Sequence, residues 1–180
     1  DVDIDEPKKL MSFSDEKALS IKWKNAYKGE NNMGSFIPDF SSQNLFFSDA
    51  SGKVLSLNAN TGNENWSAEL SFLASGTAAG FGIVAVSDIE GNVIALDQKD
   101  GSKLWSSNVK GEVLSKVAID AQIVVVKTGS GELLGLNKEN GDIEWSYRST
   151  LPLLTVRGSS SPVIVDDKVY VSFDNGRLGV

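Results

Sequence analysis

Short apolar runs alternate along the chain with clusters of Asp, Asn, Ser and Gly, and the runs recur in pairs joined by a turn that ends in Gly. The pairs are 45–47 with 54–57 around Gly52, 83–86 with 93–96 around Gly91, 123–126 with 133–136 around Gly131, and 169–173 with 178–180 around Gly176. Runs of this length bounded by turn formers predict strands joined as hairpins. No segment of comparable clarity has a 3.6-residue apolar period, so the chain is expected to be all β.

A second column fixes the register. Leu57-Asn58-Ala59-Asn60-Thr61-Gly62-Asn63-Glu64-Asn65-Trp66 matches Leu96-Asp97-Gln98-Lys99-Asp100-Gly101-Ser102-Lys103-Leu104-Trp105. Both match Leu136-Asn137-Lys138-Glu139-Asn140-Gly141-Asp142-Ile143-Glu144-Trp145. Successive Trp residues lie 39 and 40 positions apart, and the Gly residues keep the same step. Gly supplies the positive φ that ends such a turn, and Asn58, Asp97 and Asn137 can close it with their side chains. Trp66, Trp105 and Trp145 each open the following strand, where a large ring can cover the contact with the next unit. A structural role for these rings outweighs a ligand-binding one. Units of about 40 residues with four strands each are propeller blades rather than solenoid turns.

Each unit therefore carries strands A to D, with strand A falling near Ala78, Val117 and Val163. The predicted organisation is an N-terminal tether over 1–16 and a partial β-propeller of four-stranded antiparallel blades over 17–180. Within it, 20–27 around Trp23 reads as strand D of a closing blade. Blades follow near 33–70, 75–109 and 113–149, with an incomplete blade over 158–180. A lone strand D at one end and a missing last Gly-to-Trp turn at the other lead to the expectation of a fragment of a longer ring. Asp1 to Glu6 holds four acidic residues before any strand signal and reads as a solvated tether.

The repeat also serves as a ruler. From Trp66 to Gly91 is 25 positions and from Trp105 to Gly131 is 26, but from Trp145 to Gly176 is 31. The extra five fall within 149–158, the loop from strand D of one blade to strand A of the next. An inserted loop is expected to be polar, yet this one holds Leu151, Leu153, Leu154 and Val156 beside Arg157. Leu151 and Leu153 are as well explained by capping the core beneath the loop. Apolar side chains next to an Arg are also the makings of a partner-binding surface. Propeller connectivity places these D-to-A loops on the face of the B-to-C turns, where Asp49, Asp88 and Asp174 are accounted for by turn chemistry.

Composition narrows the chemistry further. The chain has no Cys and no His, which removes the commonest metal ligands, disulfides, Cys nucleophiles and a His general base. A net charge of −7 argues against a general nucleic-acid binder. No apolar run approaches the roughly 18 residues of a membrane helix.

The Leu-[Asn/Asp]-x-x-[Thr/Asp/Asn]-Gly-x-x-x-Trp units resemble those of the quinoprotein-type propeller superfamily. Within it, Leu154-Thr155-Val156-Arg157-Gly158-Ser159-Ser160-Ser161-Pro162, followed by Asp174-Asn175-Gly176-Arg177, is similar to the BamB family of outer-membrane assembly factors. The resemblance covers about 10–180 and implies roughly half of an eight-bladed ring. It also implies a non-catalytic lipoprotein scaffold at the periplasmic face of the outer membrane. Such a scaffold binds the periplasmic domains of the barrel insertase BamA, with nascent outer-membrane proteins as further partners, and needs no cofactor. Its lipid anchor would lie outside this sequence. By position, the family's BamA-contacting segment implicates Leu154, Val156 and Arg157; the family's usual Leu is Val156 here, and its Glu after the Gly is Ser159. Two alternatives stay open. The superfamily includes dehydrogenases that hold pyrroloquinoline quinone and calcium at the propeller centre, but Asp97, Asp100 and Asp142 fall inside the structural repeat. A propeller sensor domain of a larger receptor is the other.

Overall fold

A computed structural model describes residues 20–27, 36–149 and 160–180. The first sheet contains β1 (Asp39–Ser41), β2 (Asn44–Ser48), β3 (Lys53–Asn58) and β4 (Glu64–Glu69). The second contains β5 (Ala78–Gly80), β6 (Ile83–Ser87), β7 (Asn92–Asp97) and β8 (Lys103–Asn108). The third contains β9 (Ala118–Ile119), β10 (Ile123–Lys127), β11 (Glu132–Asn137) and β12 (Ile143–Arg148). A three-stranded sheet follows, with β13 (Val163–Val165), β14 (Lys168–Ser172) and β15 (Leu178–Gly179). In every sheet neighbouring strands are consecutive in sequence and antiparallel, which is the meander of a propeller blade. The predicted tether over 1–16 lies outside the described residues.

The composition of each strand follows from how many sides of it are covered. All five residues of β6 are buried, because its sheet has a neighbour on either face. The valines of β10 are equally enclosed, whereas β13 and β14 alternate between covered and exposed positions. Continuous Val/Ile runs are what two-sided burial requires, and each such side chain contributes about 1.5–3 kcal/mol. The core is accordingly a row of layers between sheets. Phe46 and Val54 pack on Val84, Val86 and Ile94. Ala85 and Val93 pack on Val124 and Leu134, and Val125 and Leu133 on Val171 and Phe173.

Gly and Trp of the repeat join these layers. Asn58, Asp97 and Asn137 each accept backbone N–H bonds inside their turn, from Asn60, Lys99 and Glu139 at 2.9, 2.7 and 2.9 Å. Gly62, Gly101 and Gly141 then take φ values of 75°, 75° and 77°. The ring of Trp66 lies flat against Gly101, where a Cβ would come within 2.5 Å of it, and Trp105 lies the same way against Gly141. Each indole N–H donates into the same turn, Trp66 to the Gln98 carbonyl at 3.1 Å and Trp105 to that of Lys138 at 2.7 Å. The Trp of one sheet is thus clamped onto the Gly turn of the next.

Trp23 repeats the arrangement: its ring covers Gly62 and its Nε1 donates to the Ala59 carbonyl at 2.9 Å. No strand pairing is assigned within residues 20–27, yet this side chain occupies the place that a strand-D Trp takes between sheets. Trp145 differs. Its ring folds over Gly135 on its own neighbouring strand, and among the described residues it makes no docking bond of this kind.

One regular feature escaped the sequence pattern. In each full sheet the pairing of strand C with strand D shifts just before the Trp, so that Ser56 faces Trp66, Ala95 faces Trp105 and Gly135 faces Trp145. Opposite each ring stands a small residue, and at Gly135 an added Cβ would run into the Trp145 ring.

Candidate partner-binding surface

Leu154, Val156 and Arg157 lie outside the described residues; the two ends of their loop, Ser149 and Ser160, are described. Fourteen residues separate β12 from β13, against eight between β4 and β5 and nine between β8 and β9, so the insertion found with the repeat ruler sits where expected.

D-to-A loops and B-to-C turns share one face, as expected. The first residue after each strand D donates its N–H to the Gly of the B-to-C turn beside it. These bonds run from Leu70 to Gly52 at 2.9 Å, from Val109 to Gly91 at 2.9 Å and from Ser149 to Gly131 at 3.0 Å. Asp49 and Asp88, both buried, serve their turns. Asp49 accepts from the Ser51 N–H at 2.9 Å, and Asp88 from the N–H groups of Glu90 and Asn92 at 2.9 and 2.8 Å.

The fourth turn departs from this pattern. Its closing bonds run from Phe173 N to the Arg177 carbonyl and from Gly176 N to the Phe173 carbonyl, both 2.9 Å, so Phe173 occupies the capping position. Phe173 turns inward beside Tyr147, with ring centroids 6.1 Å apart. Asp174 is thereby displaced by one position, and its carboxylate comes to 4.0 Å from Lys127 Nζ.

Lys127 is the least expected residue on this face. It ends β10 at the position held by Ser48, Ser87 and Ser172 in the other sheets, and its side chain is only 4% exposed. Its ammonium donates to Ser160 Oγ at 2.5 Å and to the Ser172 carbonyl at 3.0 Å. Burial holds its pKa below the ordinary lysine range, and Asp174 partly opposes that shift.

A serine column accompanies it. Ser75, Ser115 and Ser160 each stand three residues before their strand A. Ser75 Oγ lies 2.7 Å from Ser87 Oγ, and Ser160 donates to the Ser172 carbonyl at 3.0 Å. In the third sheet the partner position is Lys127, whose ammonium crosses to the fourth sheet instead. Among the described residues, Ser115 Oγ is left buried with no hydrogen-bond partner. An orphaned buried hydroxyl costs about 1–3 kcal/mol.

Sequence reasoning passed over Lys127 because a Lys at a strand end ordinarily reads as solvated. It also passed over Phe72 and Ile89, two exposed apolar side chains on this face, whose backbones meet through the Ile89 N–H and the Phe72 carbonyl at 3.1 Å.

The innermost strands β1, β5, β9 and β13 border a cavity of about 220 Å³ lined by Ala78, Val117, Ile164 and an ion pair between Lys116 and Asp39 at 2.8 Å. The Asp39 carboxylate also accepts the Ala79 N–H at 2.8 Å. Asp97 and Asp100 accept backbone N–H bonds within their turn, and the Asp142 carboxylate accepts from Asn140. Among the described residues no group of three or more acidic side chains is placed to hold a metal ion.

Solved structures share this architecture. The crystal structure of BamB from Moraxella catarrhalis superposes with a TM-score of 0.66 at 23% identity, over 81% of this chain and 51% of that one. A quinohemoprotein alcohol dehydrogenase from Comamonas testosteroni does so with a TM-score of 0.55 at 17% identity, over 66% of this chain and 21% of that one. At such identities the likeness concerns the fold alone. Sequence relatives are more specific. The outer membrane protein assembly factor BamB of Vibrio cholerae is 39% identical over 146 residues, covering 78% of this chain and 38% of the relative. That of Nitrosomonas eutropha is 35% identical over 150 residues, covering 83% and 36%. The chain thus spans well under half the length of these relatives. Residues 50–180 match the sequence model of the family described as outer membrane protein assembly factor BamB, and the chain belongs to that family.

Proposed function

We propose that this chain forms part of a non-catalytic scaffold subunit of the machinery that assembles β-barrel proteins into the outer membrane. In this reading it binds the periplasmic domains of BamA through the 149–158 loop, with Leu154 and Val156 supplying apolar contact and Arg157 a charge-assisted hydrogen bond. It works at the periplasmic face of the outer membrane, held there by a lipid anchor outside this sequence, and nascent outer-membrane proteins are further partners.

The observation that carries the reading is the family match over 50–180, because that stretch contains the inserted loop. The chemistry of the loop supports it. An aliphatic pair beside an Arg is the composition in which a few residues dominate an interface. The test is titration of the BamA periplasmic domains against the full-length protein and its Arg157→Glu variant. Reversing the charge should weaken binding at least tenfold, with the unfolding midpoint unchanged. Equal affinities would remove the loop from the interface, and quinone-dependent dye reduction by the full-length protein would overturn the non-catalytic reading.

A further inference from the structure

Phe72 and Ile89 are neighbours on the face that carries the D-to-A loops and B-to-C turns, and they are 60% and 59% exposed. Their backbones meet beside an antiparallel bridge. Leu73 pairs with Asp88, and the Ile89 N–H donates to the Phe72 carbonyl at 3.1 Å. The bridge joins the loop leaving the first sheet to the B-to-C turn of the second.

The repeat supplies an internal control. At the next joint the same bond runs from the Gly129 N–H to the Glu112 carbonyl at 2.8 Å, so a glutamate and a glycine hold the places of Phe72 and Ile89. In the first sheet the residue after the turn aspartate Asp49 is Ala50, where the second sheet has Ile89 after Asp88. The joint therefore closes without a large apolar side chain on either segment. One exposed apolar residue is ordinary, but two neighbouring ones where the fold requires neither mark a contact surface.

The size and charge of the surface define its occupant. Two side chains fall far short of the roughly 1,000 Å² that a specific interface between folded domains buries. They match an extended segment, whose alternate side chains fall on one side about 7 Å apart. Strands of outer-membrane barrels carry that alternation of apolar and polar residues. Charges of both signs stand around the pair, Glu69, Glu90 and Glu112 against Lys53 and Lys110, so apolar contact has to carry the attraction.

We propose that the Phe72–Ile89 pair is a docking point for unfolded strands of outer-membrane β-barrel proteins, which lay alternate apolar side chains across it while their backbone stays extended. This rests on the reading of the chain as part of an assembly scaffold that meets nascent outer-membrane proteins, and it does not involve the 149–158 loop. Contact through two side chains is weak and readily reversed, as a surface that passes on an unfolded client requires.

The experiment titrates full-length protein against a fluorescein-labelled peptide of about ten residues in which Val and Tyr alternate with Thr and Ser. A second peptide with Ser at every apolar position is the reference, and fluorescence anisotropy at low and high salt is the readout. The double variant Phe72→Glu/Ile89→Ala installs the residue types of the neighbouring joints and should keep the unfolding midpoint. It should bind the peptide about tenfold more weakly than the unaltered protein, yet bind the BamA periplasmic domains equally well. Salt should change the peptide affinity less than about twofold. Should the double variant unfold early, Phe72→Glu alone decides, with a loss of about threefold expected. Equal peptide affinity in variant and unaltered protein would overturn the docking point, as would equal binding of the two peptides. Weakened BamA binding with peptide binding intact would also overturn it, by assigning the pair to a folded partner. Full-length protein that binds the BamA domains but not the peptide overturns the docking point and leaves the scaffold reading standing, whereas binding of neither overturns both.

Discussion

Substituting Gly101 by Ala tests whether the Trp clamp between sheets is a close-packed contact or a loose apposition. Two separable effects follow from the geometry. The φ of 75° is a left-handed backbone, which costs an Ala about 1–2 kcal/mol. Reduced freedom of the unfolded chain returns about 0.4–1 kcal/mol of that. The new methyl would in addition meet Cε3, Cδ2 and Cζ3 of Trp66 at 2.5, 2.8 and 3.0 Å. The ring has little room to retreat. It is buried, its Nε1 is bonded to the Gln98 carbonyl, and its other side packs on Phe46 with centroids 6.0 Å apart. Forcing extra volume into such a contact costs about 1–3 kcal/mol. The sum is about 2–4 kcal/mol, a large share of the roughly 5–15 kcal/mol that holds a domain folded.

Gly176 supplies the control, because it has a φ of 78° and, among the described residues, nothing within 4 Å of an added Cβ. Gly176→Ala should therefore cost only the backbone part, about 1 kcal/mol. Urea unfolding followed by far-ultraviolet circular dichroism gives both values. The decisive comparison is Gly101→Ala in a Trp66→Ala background. With the ring gone, the glycine substitution should fall back to about 1 kcal/mol, a coupling of about 1–3 kcal/mol between the two sites. Equal costs at Gly101 and Gly176, or strict additivity with Trp66→Ala, would refute the clamp as described.

Two further outcomes follow from the polar column. Ser75→Ala should cost about 1–3 kcal/mol, because the Ser75 hydroxyl serves both the N–H and the Oγ of Ser87, whereas Ser115→Ala removes an orphaned group and should be neutral or stabilising by up to about 1 kcal/mol. Chemical unfolding of the two variants decides it, and a costlier Ser115→Ala would show that its hydroxyl has a partner. The lowered pKa of Lys127 fixes the sign of a pH effect: between its folded pKa and the ordinary 10.5 the unfolded chain binds more protons, so stability rises with pH across that window. Urea midpoints measured as the pH is raised toward 10.5 should thus climb relative to those of Lys127→Met, and parallel curves would mean that the ammonium is not desolvated.

The blade and its joints were legible because their residues are scarce types at fixed spacing: the Gly62, Gly101 and Gly141 turns and the Trp66 and Trp105 rings pair across sheets as their step of about 40 residues implied. Trp23 shows how far such a signal reaches, since its indole marks the docking position even where residues 20–27 carry no strand pairing. The serine column was not legible. Ser75, Ser115 and Ser160 are common residues in loop sequence, and their alignment has meaning only once Ser87, Lys127 and Ser172 stand beside them on the adjacent strand. The offset of Phe173 against Asp174 was hidden for a related reason, because an Asp one place early or late still reads as a turn former, and only the Phe173–Arg177 bond tells which residue caps. The insertion before Ser160 was the one departure visible as arithmetic. Lys127 and Asp174 become informative only once they stand beside Ser160: the buried ammonium lies 4.0 Å from the displaced carboxylate and donates to the Ser160 hydroxyl and the Ser172 carbonyl. The cation needs the carboxylate and the Ser160 hydroxyl to be tolerated under cover.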